Sequence, residues 1–105
     1  MSTVYEMIRL AIQKKQHVLA TYKGHYREMC PHVLGTKHGR QQVLCYQFAG
    51  TSDSGLAPAG HPSNWRCITI SNLQDVEIRD GDWHTAPNHS RPQTCVDAVD
   101  VEIEL

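Results

Sequence analysis

Arginine, histidine and cysteine hold most of the chemistry open to this chain. Arg27 and Arg66 lie in two segments of strand-like character, Tyr26-Arg27-Glu28-Met29-Cys30-Pro31 and Trp65-Arg66-Cys67-Ile68-Thr69-Ile70. A guanidinium offers a planar fork of donors that suits phosphate or carboxylate. Two of them on antiparallel strands can converge on one anion. Trp65 and Tyr46, with Tyr22 as a third, are flat surfaces on which a base can stack. Arg27, Arg66, Tyr46, Trp65 and Tyr22 are therefore the expected ligand-binding residues. The competing reading makes each arginine a solvated strand residue, or the partner of Glu28, Asp75 or Glu77, and each aromatic a core residue.

The chain has seven histidines and four cysteines. Cys30-Pro31-His32 and the stretch from His84 to His89 are their densest places. His84 and His89 have the H-x₃₋₅-H spacing of structural zinc sites, and Cys95 is the nearest further ligand. No CxxC pair accompanies them, so solvated histidines are expected, with no metal and no cofactor. Cys30, Cys45, Cys67 and Cys95 stand far apart and are expected as free thiols packed as small hydrophobes. Cys45 or Cys67 beside a histidine would make a nucleophile pair. Both fall inside strand-like segments, where a buried thiol is inert. There is no G-x-S-x-G, P-loop, H-E-x-x-H or G-x-G-x-x-G, and a non-catalytic protein is expected over a small metal- or thiol-dependent enzyme.

Charge is unevenly divided along the 105 residues. Residues 1–50 hold seven Lys/Arg against Glu6 and Glu28, a balance of +5, and residues 51–105 hold three against nine acids, a balance of −6. The halves can neutralise each other across one fold, or the first half can present a basic face to an anionic ligand or nucleic acid. Length fits one domain, residues 1–105, with a modest core. No run approaches the ~18 apolar residues of a membrane span. The start, Met1-Ser2-Thr3-Val4-Tyr5-Glu6, lacks the basic and apolar regions of a signal peptide. A cytoplasmic protein is expected, in which the sequon-like Asn88-His89-Ser90 has no meaning.

The elements that must position these groups follow from periodicity. Thr3-Val4-Tyr5-Glu6 is a capping box, and Val4, Ile8, Ala11 and Ile12 form one helical face. Lys14 and Lys15 in the last turn favour the helix dipole, so a helix is predicted from Val4 to about Lys15. His17–Tyr22 then reads as a strand, Lys23-Gly24-His25 as a turn, and Tyr26–Pro31 as a strand that lies at an edge or bends at its proline. A turn at Lys37-His38-Gly39-Arg40 leads to Gln42–Phe48, a strand apolar on both alternating sets. Ala49 to Asn64 is a long Gly/Ser/Pro/Ala-rich loop. Trp65–Ile70 is a fourth strand, Leu73, Val76 and Ile78 mark a fifth, and Thr85–Thr94 is a polar connector. Val99–Leu105 alternates strictly as a half-exposed strand. Short strands joined by turns, opened by one helix, suggest a small partly open barrel or curled sheet.

Several of these segments stand in a familiar order. Leu10-Ala11-Ile12, then Tyr22, then Arg27-Glu28-Met29-Cys30-Pro31-His32-Val33-Leu34 resembles the opening of WYL domains, where a helix end is followed by a strand tyrosine and an R-x-V-x-P-x-x-L segment. Gly39 with Val43-Leu44-Cys45-Tyr46 resembles the strand that names the family, and Arg66–Leu73 its later R-T-F-R-L-D-R-I segment, over residues 8–78 in all. The Trp-Tyr-Leu tripeptide is here Gln41-Gln42-Val43, and two usual arginines are Thr69 and Asn72. The resemblance implies an Sm-like, SH3-type β-barrel of about five to six strands with an N-terminal helix. It implies a ligand-sensing or single-stranded nucleic-acid-binding role of the kind found in bacterial transcription regulators. The basic ligand-facing positions that match are Arg27 and Arg66. With no room for a helix-turn-helix, a divergent, stand-alone member is expected. The alternative is an assembly module that pairs sheet edges, such as Val99–Leu105, with a second copy or a partner regulatory protein.

Overall fold

The structure, a computed structural model, describes residues 3–51, 64–84 and 95–103. Helix α1 spans Val4–Lys14. Its capping box is formed: Glu6 N–H donates to Thr3 Oγ1 at 3.1 Å, and the Thr3 N–H reaches Glu6 Oε2 at 3.4 Å. Lys15 ends it in the left-handed region at φ 53°, and Gln16 N–H closes back on Ala11 O at 2.8 Å. The apolar face buries Ile8, Ala11 and Ile12, each isoleucine contributing roughly 1.5–3 kcal/mol by leaving water. No helix among the described residues is long and apolar enough to cross a membrane.

Strands β1 (His17–Tyr22), β2 (His25–Lys37) and β3 (Arg40–Gly50) are joined by two-residue turns. Lys23-Gly24 and His38-Gly39 both take positive φ at both positions, the turn whose twist suits a hairpin and in which glycine is unstrained. β4 (Trp65–Thr69), a 3₁₀ turn (Ile70–Asn72), β5 (Leu73–Arg79) and β6 (Ala98–Glu102) follow. All pairings are antiparallel, in the order β4-β3-β2-β1-β5, with β6 added on β2. Among the described residues the molecule is thus mainly β: one short helix on a six-stranded antiparallel sheet that is not closed.

β2 differs from its expected form. It runs well past Pro31 and lies inside the sheet, so the edge position is wrong. Along one side it pairs with β1 up to Met29 and with β6 from Val33 onward. Pro31, which has no N–H to give, sits where that side changes partner, and the register with β3 shifts between Pro31 and Val33. The fourth strand also stops at Thr69, its expected end Ile70 starting the 3₁₀ turn. The long loop and polar connector fall mostly outside the described residues.

The main core joins Ile8 and Ile12 of α1 to Val18, Tyr22, Met29, Leu34, Val43, Cys45, Ile68, Ile70 and Ile103. α1 is anchored over β6 by Tyr5, whose hydroxyl donates to Asp100 Oδ2 at 2.6 Å, and by Arg9, 3.5 Å from the same oxygen. A smaller cluster holds Val33, Cys95 and Val96. Here the cysteine expectation is corrected: Cys67 and Cys95 form a disulfide, while Cys30 and Cys45 are free and buried. Sequence spacing hid the pair because tertiary packing, not chain proximity, brings them together.

Candidate anion site at one end of the core

Alternate residues of a strand share a face, and cross-strand partners lie on the same face. The core-facing rows can therefore be followed outward. On β1 the row is Val18, Ala20, Tyr22. Opposite it on β2 stand Met29 and then Arg27, paired with Val18 and Ala20. On β3 the row is Val43, Cys45, Gln47. On β4 it is Ile68 and then Arg66, paired with Val43 and Cys45. Three of the four rows end in a polar side chain, and the ends meet.

Gln47 is the hub. It is fully buried, and its amide nitrogen donates to Ala49 O and Thr51 O, both at 3.0 Å. That fixes its carbonyl oxygen, which accepts from Arg66 Nε at 3.2 Å and from Arg27 Nη1 at 3.5 Å. Arg66 also donates from Nη1 to Trp65 O at 3.3 Å. Burial and the neighbouring Arg27 charge lower the Arg66 pKa, with Tyr46 acting weakly in the opposite sense; the guanidinium stays charged.

Arg27 is only 4% exposed. Its guanidinium carbon lies 5.2 Å from the centre of the Tyr22 ring, within cation–π range. Its Nε–H is buried without a hydrogen-bond partner. Tyr22 in turn accepts the Thr69 N–H at 3.3 Å, tying β1 to β4 across the curl, and Lys23 Nζ stands 5.5 Å from the same ring. Glu28, offered by the sequence as a partner, pairs instead with Arg79 at 2.8 Å. Among the described residues no carboxylate pairs with Arg27.

Of the five expected residues the structure brings three together: Arg27, Arg66 and Tyr22. Tyr46 and Trp65 alternate to the other face of their strands. There they pack edge to face at 5.1 Å, and Trp65 meets His32 at 4.7 Å. That layer continues through Trp83, 5.0 Å from His32. Nearby, Phe48 stacks on His84 at 4.2 Å and meets His17 at 4.5 Å. Gln47 was missed by sequence reasoning. Its only signal was an amide at the end of an otherwise apolar inward row.

Histidines were expected to be solvated, but His17 and His32 are buried and, like His84, pack against neighbouring rings. His32 is fully buried, its Nδ1–H donating to Cys30 O at 2.8 Å, and His17 Nε2–H donates to Asp82 O at 2.6 Å. Among the described residues no three His, Cys, Asp or Glu side chains cluster as a metal site; His89 lies outside them, and the Cys95 sulfur is in the disulfide. Burial pushes the Cys30 thiol up to about 11 despite the His84 N–H bond. Burial, with Cys30 nearby, pushes Cys45 further. Neither is an activated nucleophile, and Cys67 is not a thiol at all.

Comparison of the chain with models of protein families, with curated proteins and with solved structures gives no match.

Proposed function

We propose that this chain is a non-catalytic module that binds an anionic ligand, a nucleotide or single-stranded nucleic acid, through Arg27 and Arg66. The observation that carries the reading is the convergence of both guanidiniums on the Gln47 carbonyl oxygen, with the Arg27 Nε–H left unbonded inside the protein. A buried unpaired donor on a cation is expensive, and an incoming phosphate or carboxylate oxygen would satisfy it. The same reading makes the chain a divergent WYL-like domain acting in the cytoplasm, in a regulatory setting. Its strand order, the helix before β1 and the 3₁₀ turn between β4 and β5 suit an Sm-like barrel.

Fluorescence anisotropy with mononucleotides and short single-stranded oligonucleotides at low salt tests the proposal. Binding is expected to weaken at least tenfold in Arg27→Ala/Arg66→Ala. For a strand, the logarithm of the affinity falls with that of salt by about 0.7 per phosphate neutralised. No affinity for any of these probes at low salt, or affinity untouched by the double substitution, refutes it. A second reading is assembly through sheet edges, supported by β4 and β5 ending the strand order. Light scattering that finds a strict monomer at low and high salt removes it.

A further inference from the structure

Arg66 rides on a terminal strand, and besides the backbone a single covalent cross-link ties that strand to the rest of the molecule. Among the described strands β4 pairs with β3 alone, from Tyr46↔Trp65 to Gln42↔Thr69. Cys67, the residue after Arg66, is bonded to Cys95, 28 residues further on. The two sulfurs belong to different surroundings. Cys67 is an exposed residue, whereas Cys95 is buried with Val33 and Val96. Gln42 bridges them: its Nε2 donates to Cys95 O at 2.5 Å and lies 3.5 Å from Cys67 Sγ and 3.9 Å from Cys95 Sγ. Its Oε1 accepts the Thr69 hydroxyl at 3.3 Å.

We propose that the Cys67–Cys95 disulfide is a redox latch on the arginine pair, opened by a dithiol reductant. The part of this proposal that concerns anion affinity rests on the binding reading above; the part that concerns β4 does not. One thiolate of the dithiol attacks the accessible Cys67 sulfur. The S–S bond breaks, and Cys95 leaves with the electron pair, with the Gln42 amide N–H beside it to stabilise the departing thiolate. The second thiol of the reagent then attacks the mixed disulfide, closing the reagent into a cyclic disulfide and releasing Cys67. Both cysteines take up protons near neutral pH, where an ordinary thiol is mostly protonated. The protein has gained two electrons and two protons, and the dithiol has lost them.

Reduction leaves the β3–β4 ladder and buried Ile68 in place, so the strand stays docked on average. It loses its covalent cross-link, keeps the Thr69 N–H bond to Tyr22, and opens locally at lower cost than the rest of the sheet. Arg66, held to Gln47 by one bond at 3.2 Å, moves with it. Arg27, on β2, stays.

The experiment uses the full chain, oxidised or treated with dithiothreitol. Hydrogen exchange is followed by mass spectrometry, and inorganic phosphate and a thymidine decanucleotide serve as binding probes. Reduction is expected to speed exchange of the Trp65–Thr69 amides at least tenfold while the Val18–Tyr22 amides hold their protection, and to weaken probe binding fivefold or more. Reoxidation restores both, and Cys67→Ser/Cys95→Ser behaves as the reduced protein with or without dithiothreitol. Equal exchange of β4 in the two redox states overturns the latch. So does loss of protection in β1 together with β4, which makes the bond a staple of the whole fold. If β4 loosens as expected but the oxidised protein binds neither probe, redox control of the strand stands and the anion-binding reading falls.

Discussion

Replacing Arg27 by methionine should make the protein more stable and less able to bind. In the folded chain the Arg27 guanidinium is almost wholly withdrawn from water, makes one long bond to a neutral oxygen at 3.5 Å, and leaves Nε–H with no partner. An unsatisfied buried donor costs roughly 1–3 kcal/mol, more on a charged group. The neighbouring Arg66 charge adds to the cost. Against this stands the contact with the Tyr22 ring at 5.2 Å, worth about 0.5–2 kcal/mol. Methionine is unbranched and adaptable enough to fill most of the same channel, and it removes the charge and the orphan donor together. The balance favours Arg27→Met by about 1–2 kcal/mol, with further loss avoided because Gln47 keeps its bonds to Ala49 O and Thr51 O.

Urea denaturation followed by tryptophan fluorescence measures this directly, as a midpoint raised without a change in slope. In a thermal scan each kcal/mol is worth about 4–8 °C for a domain near this size. The wild type, but not Arg27→Met, should gain stability on adding phosphate as RT ln(1 + [L]/Kd). A variant that is destabilised by about 1 kcal/mol or more refutes the reasoning: Arg27 would then be a strut of the fold, and its burial would say nothing about a ligand.

Two further outcomes follow from the framework around the site. A Cβ at Gly35 would overlap the carbonyl oxygen of Ala98 and stand 2.6 Å from Val96 Cγ1, so Gly35→Ala should part β6 from β2. It should destabilise by about 1–3 kcal/mol, with faster hydrogen exchange across Ala98–Glu102. The Tyr5 hydroxyl is pushed up to about 12 by burial, by its bond to the Asp100 carboxylate and by that group's charge, with Arg9 opposing. The folded chain therefore keeps a proton that the unfolded chain releases near pH 10. The contribution is complete below pH 10 and is lost as pH rises from 10 to 12. Comparing urea midpoints of the wild type and Tyr5→Phe across that range isolates it: the wild type should fall more steeply, and equal slopes would show that the hydroxyl does not couple to folding.

Local chemistry made much of this fold readable. The Thr3–Glu6 capping box, the Ile8/Ala11/Ile12 face and the two X-Gly turns are each decided within a few residues, so helix and hairpins fall where the sequence puts them. What was hidden depends on pairing. Pro31 reads as an edge residue because a proline cannot serve a two-sided ladder, yet β2 has two sides and merely lacks a partner at that one place. The disulfide was hidden because Cys67 and Cys95 belong to segments joined only by tertiary packing. Of the candidate site, guanidinium chemistry pointed to Arg27 and Arg66, and alternation alone could not say that they face inward. It also could not say that Tyr46 and Trp65, one position away from inward residues, face the other way. Tyr22 stayed with the arginines because it ends the inward row of β1.

That a neutral amide orients both arginines is a consequence of how β3 ends. If burying two arginines were the only requirement, a carboxylate at position 47 would neutralise both. The end of β3 does not allow it. Gly50, at φ 92°, brings the chain so close to β2 that a Cβ there would meet the Tyr26 carbonyl oxygen, and this turn aims the carbonyls of Ala49 and Thr51 at the side chain of residue 47. Two carbonyls need a donor, so an amide fits and a carboxylate would set like partial charges against each other. The amide has one oxygen left to share between two cations, which orients them without cancelling their charge. Arg27, buried and with no carboxylate partner among the described residues, breaks the rule that buried charges are compensated, and such departures concentrate where a protein has a use for them. What the neutral amide leaves unmet is the Arg27 Nε–H, which still lacks an acceptor.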